Sequence, residues 1–133
     1  MRTVGKISLL AVMIMGLLLA ACGSNEDPSV AFCAALTELN EAGPTIAALG
    51  EAADLAQIVQ LGAAMDNNWQ DLSSATEDMD EATQAAFAPH DENYTSIPAI
   101  TQETAMPVAR TTLDAKNVIA TDAYNELYPA NCR

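Results

Sequence analysis

Residues 54–79, DLAQIVQLGAAMDNNWQDLSSATEDM, contain the longest periodic apolar pattern in the chain. Its apolar residues recur at alternating spacings of three and four, which is the period of one face of an α-helix. The stripe consists of Leu55, Ile58, Gly62, Met65, Trp69, Leu72 and Met79, with Thr76 in the remaining position. The opposite face is polar. The pattern therefore predicts a long amphipathic helix that either breaks near Thr76 or continues to Phe87.

Two residues on this stripe carry specific expectations. Gly62 lowers helix propensity by about 1 kcal/mol relative to Ala, so we expect it to allow the close approach of another helix. Trp69 is the only tryptophan, and its register predicts that it faces the interior. A buried indole needs a partner for its ring N–H, so an oxygen should lie nearby. The alternative is that Trp69 lines an exposed ligand groove.

The segment before this helix predicts another one. Asp27-Pro28 is a favourable helix start, because Asp caps well and Pro suits the first helical position. Four residues then recur every third position and should form the buried face, namely Val30, Cys33, Leu36 and Leu39. Gly43-Pro44 should end this helix, leaving one or two further turns before Gly50.

The segment after the stripe predicts a polar loop at 89–96 and a last helical region from Pro98 to about Ala120. Pro107 should kink or restart this helix, and Pro129 should end the structure. Its apolar residues fall on two faces: Met106, Ala109, Leu113, Ala120, Tyr124 and Leu127 on one, and Val108, Thr112, Ala115 and Ile119 on the other. No strand pattern is present. The predicted fold class is all-α, a small antiparallel bundle of three or four helices over residues 28–133.

The first 22 residues have the zones of an export signal. Arg2 and Lys6 precede an uncharged run at 7–20, which is shorter than the roughly 20 residues that a membrane-spanning helix needs. The residues that follow, Leu19-Ala20-Ala21-Cys22, resemble the lipobox of bacterial lipoproteins. The resemblance implies that residues 1–21 are removed and that the Cys22 thiol receives lipid. An ordinary secretory signal or an uncleaved helix is the alternative.

The lipobox resemblance also implies where the mature protein resides. Residues 22–27 would be the lipidated cysteine and a short tether, and acyl chains such as palmitate would hold the domain on the extracytoplasmic side of a membrane. Each buried CH₂ contributes roughly 0.8 kcal/mol, so two or three chains anchor stably. Membrane lipid, through Cys22, is therefore the one partner that the sequence indicates.

The mature chain is strongly acidic. Eighteen acidic side chains remain against three basic ones, Arg110, Lys116 and Arg133, which gives a formal charge of −15. Nucleic acid and anionic head groups would be repelled by such a surface. Binding to nucleic acid is therefore excluded, and solubility is the simplest role of the charge.

The two remaining cysteines, Cys33 and Cys132, predict a disulfide, because an even pair outside the cytoplasm is normally oxidised. The bond would join the first helix to the C-terminus and close a loop of about 100 residues, for which chain-entropy estimates reach roughly 4.7 kcal/mol. Free thiols or a redox role are the alternative, but no Cys-x-x-Cys pair supports a redox role.

Few residues suggest chemistry. His90, the only histidine, is followed by Asp91 and Glu92 in the predicted loop, where it is expected to be solvated. Four neighbouring acids, Glu77, Asp78, Asp80 and Glu81, have the oxygen ligands that Ca²⁺ prefers, but they lack the glycine-centred loop of a calcium site. They are expected to form a solvated helix face. No catalytic or phosphate-binding motif occurs, so we predict no enzyme activity, cofactor or metal.

The mature domain is similar to small, acidic, alanine-rich helical lipoproteins of high-GC Gram-positive bacteria that carry two cysteines. The residues that carry this resemblance are Phe32-Cys33-Ala34-Ala35-Leu36 and Asn131-Cys132. It implies an architecture rather than an activity, because such proteins mostly lack an assigned function.

The first hypothesis for function is a non-catalytic binding or cell-envelope interaction domain, with a protein or envelope partner. A filled core with one exposed apolar groove would favour it. The alternative is a carrier of a small ligand or cation in a pocket between helices, near Trp69 or the acidic cluster. A deep apolar cavity would favour the carrier. An enzyme built on His90 is a third hypothesis.

Overall fold

The computed structural model describes residues 27–133, which form four α-helices and contain no strand. These are α1 (Pro28–Ala48), α2 (Leu55–Thr76), α3 (Glu81–Thr95) and α4 (Met106–Asn131). The predicted all-α antiparallel bundle is confirmed. The predicted signal peptide, the lipobox with Cys22 and the tether up to residue 26 lie outside the described residues.

Aspartates start the first three helices. Asp27, Asp54 and Asp80 are the N-caps of α1, α2 and α3, and each carboxylate accepts a backbone N–H from the first turn. The pKa values of Asp27 and Asp80 are held below the ordinary range, mainly because the backbone N–H bond stabilises the ionised form. The α4 helix has no side-chain cap but carries Pro107 in its first turn. Pro107 therefore starts a helix and does not interrupt one.

Three prolines that the sequence predicted as breaks lie inside helices instead. Pro44 is inside α1, Pro89 inside α3 and Pro129 inside α4. The predictions that Gly43-Pro44 ends the first helix, that 89–96 is a polar loop and that Pro129 ends the structure were therefore wrong. A proline removes one helical hydrogen bond, whereas most helical stability in proteins comes from tertiary packing. Buried residues beyond the first two prolines, Ile46 and Tyr94, supply that packing.

The remaining helix boundaries also differ from expectation in places. Residues 98–105 are not helical, so the last helix begins eight residues later than predicted and continues past Ala120 to Asn131. The α2 helix ends at Thr76, which selects the break over a continuation to Phe87. The Asp80 cap explains the break, because it starts a new helix four residues further on.

The apolar core lies where α1 packs against α2 and α4. Its largest fully buried side chains are Phe32, Leu36, Leu39, Ile58, Met65, Leu72, Leu113 and Leu127. Val30 is 54% exposed, contrary to prediction. Residues spaced by three rotate about 60° per step away from a 3.6-residue period, so Val30 and Leu39 cannot share a face. The second predicted face of α4 is only partly covered, since Val108 is 55% exposed.

Gly62 allows a close approach, but of a loop residue and not of a helix. A Cβ placed on Gly62 would lie 3.1 Å from Cδ1 of Ile100, in the connection between α3 and α4. Ile100 is buried there, so it holds residues 96–105 against α2. Within the described residues, no helix combines the length and apolarity needed to cross a bilayer.

Candidate functional site

Lys116 is the one buried charged side chain of the described residues, at 2% exposure. The buried positions of α4 are Ala109, Leu113, Lys116, Ala120, Ala123 and Leu127. Their spacings alternate between four and three, so Lys116 occupies a core position of the helix. Its Nζ donates a hydrogen bond to Oδ1 of Asp66 on α2. An ion pair therefore stands where the helical pattern calls for an apolar residue.

Tyr94 of α3 completes this pair. Its hydroxyl donates to the same Asp66 Oδ1 over 2.9 Å, and Nζ of Lys116 lies 4.7 Å from the centroid of the Tyr94 ring, within cation–π range. Burial raises the pKa of Tyr94, and the hydrogen bond to Asp66 and its negative charge raise it further. The phenol therefore stays protonated at neutral pH and serves as a donor.

Trp69 packs beside Tyr94 and is 3% exposed. The two rings stack with centroids 4.1 Å apart and an interplanar angle of 3°, and Phe87 stacks on Trp69 at 5.5 Å. The indole Nε1 donates to Oδ1 of Asp91 over 2.8 Å. The predictions that Trp69 is a core residue and that its N–H finds an oxygen are confirmed. An exposed indole platform for a ligand is not present.

These groups line a cleft between α2, α3, α4 and the connection after α3. Its volume is about 240 Å³, and its lining residues are Asp66, Trp69, Gln70, Tyr94, Thr95, Ile97, Ala99 and Lys116. The Asp66 side chain is 30% exposed, compared with 3% for Lys116. The carboxylate therefore lies at the open side of the ion pair, while Ile97 and Ala99 supply apolar surface. Converging polar groups beside an apolar wall are the usual composition of a small-ligand site.

The candidates that the sequence suggested lie elsewhere. His90 is on α3 and not in a loop, and its Nε2 is 2.8 Å from Oε2 of Glu126 on α4, so it bridges two helices at the surface. Glu77 and Asp78 lie in the turn between α2 and α3, while Asp80 caps α3 through the Thr83 N–H. The prediction that these four acids form one helix face was therefore wrong. Residues 27–133 contain no group of three or more potential metal ligands.

The predicted disulfide is present. Cys33 on α1 is bonded to Cys132, with the two Cα atoms 5.7 Å apart. The bond fixes the start of α1 to the residue that follows α4, which is the opposite end of α4 from the connection 96–105. Cys22, the predicted lipidation site, lies outside the described residues.

Sequence reasoning missed the ion pair, although one signal for it was visible. The α4 stripe predicted from sequence has a seven-residue gap between Leu113 and Ala120, and Lys116 fills it. The polar face predicted for α2 includes Asp66, and the loop predicted at 89–96 includes Tyr94, so the pattern gave no reason to place the two together. Three other surface clefts, of about 220 to 330 Å³, are lined by no buried charged side chain among the described residues. No protein-family model, curated protein or solved structure matches this chain.

Proposed function

We propose that this chain is a lipoprotein anchored on the extracytoplasmic side of a membrane through acylated Cys22. Its helical domain is a non-catalytic binding domain that takes a small ligand in the cleft at Asp66 and Lys116. The lipobox residues 19–22 support the anchor. The Cys33–Cys132 disulfide supports an oxidising compartment, because such bonds are rare in the reducing cytosol.

The observation that carries the binding role is the placement of Lys116. Removing an ammonium from water is unfavourable, and replacing a buried ion pair by apolar residues is often neutral or stabilising. An apolar side chain at position 116 would complete the α4 stripe, so packing alone gives no reason for a lysine. A cleft that presents a polar group to a ligand does give a reason for a lysine at this position.

The surroundings of the pair support binding rather than catalysis. The raised pKa of Tyr94 keeps its proton in place, so the phenol cannot serve as a base near neutral pH. Lys116 is held as a donor to Asp66 and lies against an aromatic ring. These groups are positioned to orient a bound molecule through hydrogen bonds.

The surface supports a small ligand rather than an apolar docking groove. The large exposed apolar side chains of the described residues are Val30, Val108 and Val118. Val30 is in the first turn of α1 and Val108 in the first turn of α4, and these turns lie at opposite ends of the bundle. Scattered valines do not form the contiguous apolar patch that marks a protein interface.

The anchor is tested by Cys22→Ala in the native host, with Ser24→Ala as the matched control in the tether. We expect the control to sediment with membranes and to be released by detergent, and Cys22→Ala to be soluble or uncleaved. Processing after Ala21 together with unchanged membrane association in Cys22→Ala would contradict the anchor.

The binding role is tested by native mass spectrometry of the full-length protein purified from host membranes in mild detergent. Wild type should carry a small-molecule adduct that Lys116→Met loses. Arg133→Met also removes one positive charge, but outside the cleft, and should keep the adduct. Identical adducts in all three proteins, or none in any, would contradict a ligand site at Lys116. Far-UV circular dichroism checks that each variant folds.

A further inference from the structure

The ion pair in the cleft has more donors and acceptors than its protein partners engage. An ammonium group has three N–H donors, and within residues 27–133 Nζ of Lys116 donates only to Asp66 Oδ1. Oδ1 of Asp66 accepts two bonds, from Lys116 and Tyr94, whereas Oδ2 accepts none from the described residues. A molecule in the cleft can therefore accept from Lys116 and donate to Asp66 at neighbouring positions.

The charge around this pair selects a neutral ligand. Asp66 and Lys116 cancel each other, and Lys116 is the one basic residue that lines the cleft. An anionic ligand would meet the partly exposed Asp66 carboxylate in a mature chain of formal charge −15. A cationic ligand would compete with Lys116 for Asp66 at close range. Each of these contacts brings like charges together, which is unfavourable.

A donor beside an acceptor suits an amide. A primary carboxamide presents an N–H and a C=O on one edge, so it can donate to Oδ2 of Asp66 and accept from Nζ of Lys116 together. Ile97 and Ala99 offer apolar surface to a short substituent. The cleft of about 240 Å³ has the volume of about eight water molecules at roughly 30 Å³ each, which admits a small compound or a single side chain.

We propose that this cleft binds a neutral primary carboxamide with a short apolar substituent, a refinement that rests on the binding function proposed above. The amide comes from a free small molecule or from a Gln side chain of a peptide, since both present the same edge. Asp66 accepts its N–H, Lys116 donates to its carbonyl oxygen, and Ile97 and Ala99 contact its substituent.

The test uses the emission of Trp69, which is the only tryptophan and lines the cleft. Full-length protein in mild detergent is titrated with isobutyramide and with three probes of similar shape: isobutyrate, isobutylammonium and methyl isobutyrate. Isobutyramide should change the emission saturably, and each other probe should bind about tenfold more weakly or worse, since it loses or opposes one charge-assisted hydrogen bond. Acetylglutamine methylamide binding more tightly than isobutyramide assigns the amide to a peptide, and weaker binding assigns it to a free compound.

Two variants connect the signal to the cleft. Lys116→Met removes the donor, and Ala99→Leu fills the apolar end without touching the ion pair. Both should weaken isobutyramide binding about tenfold or more, whereas Arg133→Met should leave it unchanged. Unchanged affinity in both cleft variants would overturn the proposal.

The failure of the ligand class is distinguishable from the failure of the site. Tighter binding of isobutyrate or isobutylammonium, lost in Ala99→Leu, would overturn the amide assignment and retain the cleft as a site. No saturable response to any probe would also overturn the amide assignment. A native adduct that still depends on Lys116 would then keep the binding function, and its absence would remove that function as well.

Discussion

The helices α2 and α4 contact each other, and both also pack against α1 and against α3. Their contacts with α1 and with α3 differ in kind. Against α1 they bury apolar side chains, with Phe32, Leu36 and Leu39 completely inaccessible. Against α3 they bury Trp69, Tyr94 and Lys116, each with a specific polar or aromatic partner. The stability of the contact with α1 depends on buried apolar area. The stability of the contact with α3 depends on specific hydrogen bonds and aromatic stacking.

This difference indicates which contact in a small bundle can bind a ligand. Apolar packing fills space and leaves no group free for a ligand. A buried polar network is sensitive to substitution, since each unpaired group destabilises the fold. It also fixes donors and acceptors in position. We therefore expect the α1 contact to respond to changes of volume, and the α3 contact to respond to changes of hydrogen-bonding chemistry.

The largest expected effect is that of Trp69→Ala. It should lower the free energy of unfolding by about 3–5 kcal/mol, the usual range for removing a buried Trp, because it removes the stack on Tyr94 and the donor to Asp91. Leu36→Ala is the matched change in the α1 contact and should cost about 2–5 kcal/mol through volume alone. Urea denaturation followed by circular dichroism measures both. Trp69→Phe keeps a ring but loses the N–H, and stability equal to wild type would show that the α3 contact needs no specific hydrogen bond there.

Removal of the disulfide should have the next largest effect on stability. Cys33→Ser combined with Cys132→Ser should lower the free energy of unfolding by about 2–5 kcal/mol, because the loop it closes is long. Hydrogen exchange should increase first in the opening turns of α1, which the bond fixes to the end of α4. Intact-mass analysis after alkylation without reductant provides the check on wild type. Alkylation of both Cys33 and Cys132 in that sample would contradict the disulfide.

The ion pair should respond asymmetrically to loss of either partner. Asp66→Ala leaves a buried ammonium without its carboxylate and should cost about 3 kcal/mol, the lower end for breaking buried pairs, because Asp66 is 30% exposed. Lys116→Met leaves a carboxylate that water can reach and adds apolar contact, so the change should stay within about 1 kcal/mol. Urea denaturation compares the two. Equal losses would show that Lys116 contributes to the fold and not chiefly to the cleft.

The smallest effect near neutral pH concerns Tyr94 and becomes visible only in alkali. Its pKa is raised in the folded state, so its contribution to stability is complete below the ordinary tyrosine pKa of about 10. That contribution is lost as the pH rises above this value. Two charged groups contact Tyr94, because Nζ of Lys116 lies over its ring and Asp66 accepts from its hydroxyl. The measurement therefore compares wild type with Tyr94→Phe.

Melting temperatures across this alkaline range provide the readout. The decline with pH should be shallower in Tyr94→Phe than in wild type, because the variant has no phenol to ionise. Tyr128→Phe, which changes a half-buried tyrosine on α4, should keep the wild-type slope. Parallel slopes in wild type and Tyr94→Phe would contradict the buried, protonated phenol.

Three features could be predicted from the sequence alone: the helical class, the core register of α2 and the disulfide. The stripe from Leu55 to Met79 repeats at the helical period whatever surrounds it, and burial of Trp69 follows from its place in that stripe. The disulfide between Cys33 and Cys132 was predicted from the resemblance to an export signal and from an even number of remaining cysteines. Such properties belong to one segment or to composition, so local pattern suffices to predict them.

Helix packing, in contrast, was needed to show which prolines lie inside helices and which polar groups are in contact. The local sequence predicts a helix end at Pro44 and at Pro89, but buried neighbouring residues stabilise the helix on both sides of each proline. The ion pair joins residues 50 positions apart, and Tyr94 reaches Asp66 across 28 positions. Periodicity reports whether a position is buried and cannot report which side chain from another helix faces it. The cleft at Asp66 and Lys116 therefore became visible only when α2, α3 and α4 were assembled.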